Sequence, residues 1–144
     1  MTAFRSVSLP KHIRWLRALD AECFPDDKPL VLSDAVGWTL AWEGDEAVAF
    51  CGWRPHGSWG FHVRAGVRPE SQGKGLQKQM LALREEAMAS AGMSAAVTYT
   101  EAYSAASMNS LIACGYRVFE GNLNTRLVIN PAYWRTMVYW RKDL

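Results

Sequence analysis

The chain has 144 residues, 49% of them hydrophobic and 21% charged, with a net charge of +2. That balance suits one folded domain with a real core and excludes a disordered chain. The weak charge offers no clustered basic face for nucleic acid. Three widely spaced cysteines, Cys23, Cys51 and Cys114, form no CxxC pair, which argues against a disulfide framework or a zinc site and fits a reducing, cytoplasmic setting.

Residues 1–16 lack the long apolar stretch of a signal peptide. No run of about 18 apolar residues exists, so no membrane span is expected. Ala3–Leu9 reads as a first strand. Pro10 suits the first turn of a helix, where its missing N–H is harmless, and Ile13, Leu16, Leu19 and Cys23 recur at helical spacing. Pro25-Asp26-Asp27 ends that helix. Val36–Glu43 and Ala47–Trp53 read as a hairpin around Gly44-Asp45. After a second turn at Pro55–Ser58, Trp59–Val67 is a strand. It alternates Trp59, Phe61, Val63, Ala65 and Val67 against Gly60, His62, Arg64 and Gly66, so His62 and Arg64 are expected on one face.

Leu76, Met80, Leu83 and Ala87 form the apolar stripe of a helix that Gly92 closes. Ala95–Thr100 is a short buried strand. Ser104–Cys114 is a helix with Met108, Leu111 and Ile112 inward and Gly115 beyond its end. Arg117–Glu120 and Trp134–Arg141 are late strands joined through Asn130-Pro131. The pattern is α/β (α+β): one domain over residues 1–144, with a central mixed, mostly antiparallel sheet and helices on both faces.

The most informative stretch is Val67–Lys78, which joins a strand to a helix. A glycine-containing turn at a helix N-terminus gathers backbone N–H groups at the positive end of the helix dipole, an arrangement that suits a phosphate or pyrophosphate. Gly73 and Gly75 allow close approach to the main chain. Lys74 and Lys78 add positive charge, or are ordinary surface lysines. The P-loop pattern G-x-x-x-x-G-K-[ST] is absent, because Leu76 follows Gly75, and so is the dinucleotide pattern G-x-G-x-x-G.

Val67-x-Pro69-x-x-Gln72-Gly73-x-Gly75 between strand and helix, followed by a strand and a helix ending in Gly115-Tyr116, resembles the GNAT superfamily of acyl-CoA-dependent N-acetyltransferases. The likeness spans roughly Val36 to Phe119. Gln72 and Gly75 match the family's [Q/R]-x-x-G-x-[G/A], whereas Gln77 replaces its last small residue. Ser104-Ala105-Ala106-Ser107 stands where N-x-x-S is common. The resemblance implies an acyltransferase that moves an acetyl group from acetyl-CoA to a primary amine of a small molecule or protein by direct attack in a ternary complex. The alternative is a GNAT-like module that binds acyl-CoA or a protein partner with little or no turnover.

On that resemblance, the cofactor-binding residues are Ala65, Gly66 and Val67 as a strand-like partner for pantetheine, then Gln72, Gly73, Lys74, Gly75, Leu76, Gln77 and Lys78 around the pyrophosphate, with Ser104 and Ser107 beside the pantetheine arm. Gly66 marks a bulge or is an ordinary strand glycine. An aliphatic ammonium has a pKa near 10, so a base must take its proton. His62 is the first candidate, against a packed or surface histidine, and Glu101 the second, against an exposed strand-end carboxylate. Many relatives carry a tyrosine acid where this chain has Leu111. Tyr103 is a substitute, Tyr116 a weaker one, and water or backbone suffices for a thiolate leaving group. Cys114 reads as a structural thiol. Trp38, Trp42, Trp53, Trp59, Trp134 and Trp140 line the acceptor pocket or fill the core, and Asp26, Asp27 and Asp34 attract a cationic amine or are loop acids. No metal, nucleic acid or membrane partner is indicated. The C-terminal strand closes the sheet or meets a second copy in a homodimer.

Overall fold

The computed structural model describes residues 2–8, 10–101, 104–119 and 137–144. Seven strands form one mixed sheet: β1 (Thr2–Ser6), β2 (Gly37–Glu43), β3 (Glu46–His56), β4 (Trp59–Val67), β5 (Ala95–Glu101), β6 (Arg117–Val118) and β7 (Met137–Asp143). Their order across the sheet is β1-β2-β3-β4-β5-β7-β6. Three helices accompany them: α1 (Ile13–Cys23), α2 (Leu76–Ser90) and α3 (Ala105–Ala113). The chain divides into two compact units, Met1–Arg54 with His62–Arg84, and Pro55–Phe61 with Glu85–Leu144.

In the first unit the alternating faces of the β2–β3 hairpin supply two cores. Trp38, Leu40, Trp42, Ala47 and Phe50 pack with Leu16 and Leu19 of α1. Ala41, Val48, Ala49 and Cys51 pack with Val67 and with Leu76 and Met80 of α2. One helix therefore covers each face. Leu16, Leu40, Phe50 and Met80 are fully buried, each contributing about 1.5–3 kcal/mol by leaving water. The hairpin register slips between Ala41 and Trp42, which oppose Ala49 and Ala47. Val48 is the extra residue, so two successive side chains, Val48 and Ala49, share the α2 face. Period-two reading of the sequence does not show this bulge.

The stripe of α2 also differs from the expectation. Leu76, Met80, Arg84 and Met88 are its buried line, at steps of four, with Leu81 beside it; Leu83 and Ala87 are only half-buried. A charged Arg84 in a buried line is invisible to an apolar template. Its guanidinium is accommodated by donating to the carbonyls of Met80 (3.2 Å) and Gly52 (3.3 Å).

In the second unit β5 pairs antiparallel with β7 over seven residues, from Ala95–Asp143 to Glu101–Met137. The parallel β4–β5 ladder is three residues long, Trp59–Ala95 to Phe61–Val97. At Gly60 a Cβ would stand 2.5 Å from Met88 Cγ, so α2 lies hard against that face. Glu85 of α2 accepts from Tyr116 Oη (3.0 Å) and Lys142 Nζ (2.9 Å), which fastens the end of α3 and β7 to the same helix. Ile112, expected inward, is 57% exposed, and Leu111 alone in α3 is buried. A nine-residue helix offers one narrow stripe, and Leu111 and Tyr116 fill it.

Candidate functional site

The turn between β4 and α2 is built by local bonds. Pro69–Ser71 makes one turn of 3-10 helix, with Ser71 N–H donating to Arg68 O (2.9 Å). Gln72 then reaches back, its Nε2 donating to Val67 O (3.2 Å). Gly73 and Gly75 both adopt φ of 79°, a region that side chains disfavour. A Cβ at either position would meet nothing within 4 Å, so sterics inside the protein do not demand glycine there; backbone conformation does, and the space in front stays open.

These two glycines turn the chain so that α2 begins at Leu76. Among the described residues, none of the N–H groups from Gly73 to Lys78 donates to a backbone or side-chain acceptor, and the ladder of helical bonds begins with Gln79 N–H to Gly75 O (3.1 Å). Six successive donors at the positive end of a 15-residue helix make an anion cradle. Lys74 lies 3.5 Å from Glu43 and is half-exposed, a loose pairing that leaves the ammonium free to turn. Lys78 and Gln77 are exposed beside it.

Arg68 anchors the start of the turn, a role not expected from the sequence. Its guanidinium donates to Glu22 of α1 (3.1 Å), Glu46 of β3 (3.0 Å) and Glu70 of the turn (3.3 Å), and its N–H donates to Val48 O (2.9 Å). Glu46 above all, then Glu22, holds the guanidinium firmly protonated. With its charge answered three times over, Arg68 serves the shape of the turn, and the lysines and amides supply its field.

Upstream on β4, His62 and Arg64 do not share a face. His62 is 5% exposed and lies beside Arg84 of α2; burial first, and the Arg84 charge second, push its pKa well below 6.5 and keep it neutral. Arg64 instead meets Asp20 of α1 at 2.6 Å, donates to Lys28 O (3.3 Å) and lies 5.0 Å from the Phe24 ring centroid. Val63 packs with the α1 core as well. Two neighbouring residues, Val63 and Arg64, thus turn to α1, which strict alternation forbids. The irregularity sits there, ahead of Gly66. Gly66 has its own constraint: a Cβ would come within 2.8 Å of Phe50 Cε1 and 2.9 Å of Cys23 Cβ. Asp20 is 4% exposed and also accepts from Leu30 N–H (2.8 Å), so one buried carboxylate ties residues 28–30 to α1.

In the second unit Glu101 ends β5, half-buried, with no side-chain partner among the described residues. Its carbonyl accepts from Ser104 N–H (3.0 Å) at the start of α3. Ser104 occupies the N-cap without a side-chain cap bond, and Ser107 is exposed in the first turn; neither hydroxyl has a hydrogen-bond partner among the described residues. Tyr116 is committed to Glu85, and Leu111 is 8% exposed in the core. Tyr103 and Trp134 lie outside the described residues. Trp38, Trp42, Trp59 and Trp140 are buried, as the core reading expects, while Trp53 is half-buried; Asp26, Asp27 and Asp34 are exposed. Among the described residues no group of His, Cys, Asp and Glu could hold a metal ion.

The model of the acetyltransferase (GNAT) family matches residues 4–116. The chain belongs to that family. It is an acyltransferase with acetyl-CoA as its donor, and the open cradle of Gly73–Lys78 fits the diphosphate of that donor. Among solved structures, it is similar to the ribosomal-protein-S18-alanine N-acetyltransferase of Escherichia coli, at 11% identity and a TM-score of 0.76 over 99% of this chain and 94% of that one. It is similar to a Bacillus subtilis acetyltransferase in complex with CoA, at 19% identity and 0.76 over 100% and 99%. PaiA N-acetyltransferase of Thermoplasma acidophilum, in complex with coenzyme A, matches at 11% and 0.74 over 100% and 99%. No curated protein sequence matches the chain. These likenesses carry the fold, a single α/β domain with a mixed sheet, as the sequence pattern implied.

Proposed function

We propose that the protein transfers the acetyl group of acetyl-CoA directly to a primary amine, on a small molecule or a protein, within a ternary complex. The observation that carries this reading is the row of six undonated N–H groups from Gly73 to Lys78 at the head of α2. Acetyl-CoA supplies a thioester-activated acetyl group. The chain's own residues do the rest. Gly73, Lys74, Gly75, Leu76, Gln77 and Lys78 hold the diphosphate, with Gln72 pinning the turn to Val67. Ala65, Gly66 and Val67 lie beyond the end of the short β4–β5 ladder, which supports their backbone groups as partners for the pantetheine amides. Ser104 and Ser107 of the second unit remain pantetheine candidates on the family resemblance alone, each with no side-chain hydrogen bond among the described residues.

Deprotonation of the amine falls to Glu101. Its carboxylate is half-buried and has no side-chain partner among the described residues, whereas burial of His62 takes that imidazole away from solvent. His62 is assigned a supporting place beside Arg84 under β4. No tyrosine acid is required of the described residues, because a thiol of pKa about 8.5 leaves readily as thiolate. Three free cysteines accord with a reducing cytoplasm, and no described helix is long and apolar enough to cross a membrane. Pairing of two copies along the C-terminal strand belongs to the same proposal.

The test is thiol release from acetyl-CoA against a panel of amines, beside calorimetric titration with CoA. Binding with amine-dependent release supports the transferase. Binding with no release from any amine selects the acyl-CoA-binding module instead, and absence of binding overturns the site. Glu101→Gln should lower kcat about 100-fold with CoA affinity unchanged; an unchanged kcat removes Glu101 as base.

A further inference from the structure

The net charge of +2 conceals an uneven distribution. Residues 1–19 hold Arg5, Lys11, Arg14 and Arg17 and no acid, while the remainder of the chain is net acidic. All four cations are exposed. Lys11, Arg14 and Arg17 follow one another at three-residue steps along the start of α1. Register adds Arg5. It stands opposite Leu40, whose side chain packs with Leu16 of α1, so Arg5 lies at the β1 edge on the α1 side of the sheet.

Helix electrostatics disfavour this placement. Helix N-termini favour acids, and α1 has none in its first turn. Lys11 with Arg14, and Arg14 with Arg17, are like charges at i,i+3, which repel. The i+4 positions that could hold a compensating acid carry Trp15, Ala18 and Ala21. The two acids of α1 are engaged elsewhere, Asp20 by Arg64 and Glu22 by Arg68. Among the described residues none of the four cations has an acidic partner. Arg14 instead lies over the Trp15 ring, 4.9 Å from its centroid. Charges that cost stability in the free chain, and that the chain itself does not answer, point to a partner that does.

We propose that this face, the start of α1 with the β1 edge beside it, docks a short acidic segment of a partner protein. Its carboxylates answer the exposed cations and the positive end of the helix together. A lipid surface does not match, because α1 exposes no large apolar side chain; beyond the cations its exposed positions include only Ala18 and Ala21 as apolar residues. A long nucleic acid does not match either, since past these four cations it would run onto a net acidic chain. Docking here is independent of the acetyl-transfer chemistry.

The test is fluorescence anisotropy with labelled octaglutamate and the full chain at low salt, with octaglutamine as the neutral control. Octaglutamate alone should bind, and its affinity should fall as ionic strength passes about 0.1 M, where charges about 10 Å apart are screened. Arg14→Gln with Arg17→Gln should weaken binding about ten-fold. The same pair should keep or raise the melting temperature, since it removes like-charge repulsion and glutamine suits a helix, and should leave CoA affinity unchanged. Lys28→Gln with Arg117→Gln removes the same net charge elsewhere and should change octaglutamate affinity less than about two-fold. Equal losses in the two paired variants, or no binding of octaglutamate, overturn the proposal. A lowered melting temperature for Arg14→Gln with Arg17→Gln also overturns it, because the arginines then serve the fold. Tighter binding of an oligothymidylate of equal charge, or of phosphatidylserine vesicles, gives the face to nucleic acid or lipid instead and overturns the acidic-protein partner.

Discussion

The two units hold their chemistry in different ways. In the first, the candidate cofactor cradle is made of main chain: two glycines at φ 79°, a short 3-10 turn and the head of α2, whose N–H groups have no acceptor among the described residues. The charged side chains around it are nearly all answered within the protein, Arg68 by three glutamates and Arg64 by Asp20. In the second, the candidate base is a side chain, Glu101 at the end of β5, which has no side-chain partner among the described residues. A backbone site serves a ligand common to a whole family, because N–H groups are the same in every sequence. A side-chain site is where one member can differ from another.

If that contrast is right, damage to each unit should be separable. The largest effect is expected for Gly75→Glu, which forces a side chain into a left-handed conformation and sets a carboxylate in the anion cradle. CoA affinity should fall at least about 100-fold, or roughly 2.7 kcal/mol, while the fold survives because no protein atom lies within 4 Å of the new Cβ. Calorimetry and a melting curve check both halves; unchanged affinity would mean that the turn does not hold the donor. Next is Asp20→Ala, which strands Arg64 and Leu30 N–H. Arg64 is partly solvated, so a loss of about 2 kcal/mol is expected in denaturant titration, below the full range for buried pairs. Loss of CoA affinity in the folded variant as well would show that the α1 clasp and the cradle are not independent.

A smaller, pH-dependent effect belongs to His62. Its folded pKa lies below 6.5, so the unfolded chain binds the proton more readily. Its contribution to stability is full above about pH 6.5 and is lost as pH falls below that value towards the lowered folded pKa, with a slope of up to about 1.4 kcal/mol per pH unit. Denaturation midpoints from pH 7 to 5 should therefore fall more steeply in the natural chain than in His62→Gln; parallel curves would contradict the burial of a neutral imidazole. The smallest effect is Glu85→Gln in the second unit, about 1 kcal/mol of stability from weakened bonds to Lys142 and Tyr116, with CoA affinity untouched. A change in CoA affinity there would blur the division of labour.

Legibility followed the same division. The strand Trp59–Val67 and the turn after it were readable because alternation and glycine spacing are local properties of the chain. The hairpin bulge at Val48 was not, since an all-apolar run has no polar residue to mark the slip. Arg84 was missed because a guanidinium enters a core only where carbonyls such as those of Met80 and Gly52 happen to meet it. The shared face assigned to His62 and Arg64 failed for a related reason: Arg64 turns to Asp20, a partner 44 residues away.

The sequence by itself determined the order of elements, the family, and the donor, because strand periodicity, Gln72 to Gly75 and the helix that follows act over a few residues. Tertiary structure alone decided which charges are spent and which remain. Arg68, Arg64 and Tyr116 are used in holding the fold, whereas the Glu101 carboxylate has no side-chain partner among the described residues. Pairing depends on distances between residues far apart in sequence, and only the folded chain sets those distances.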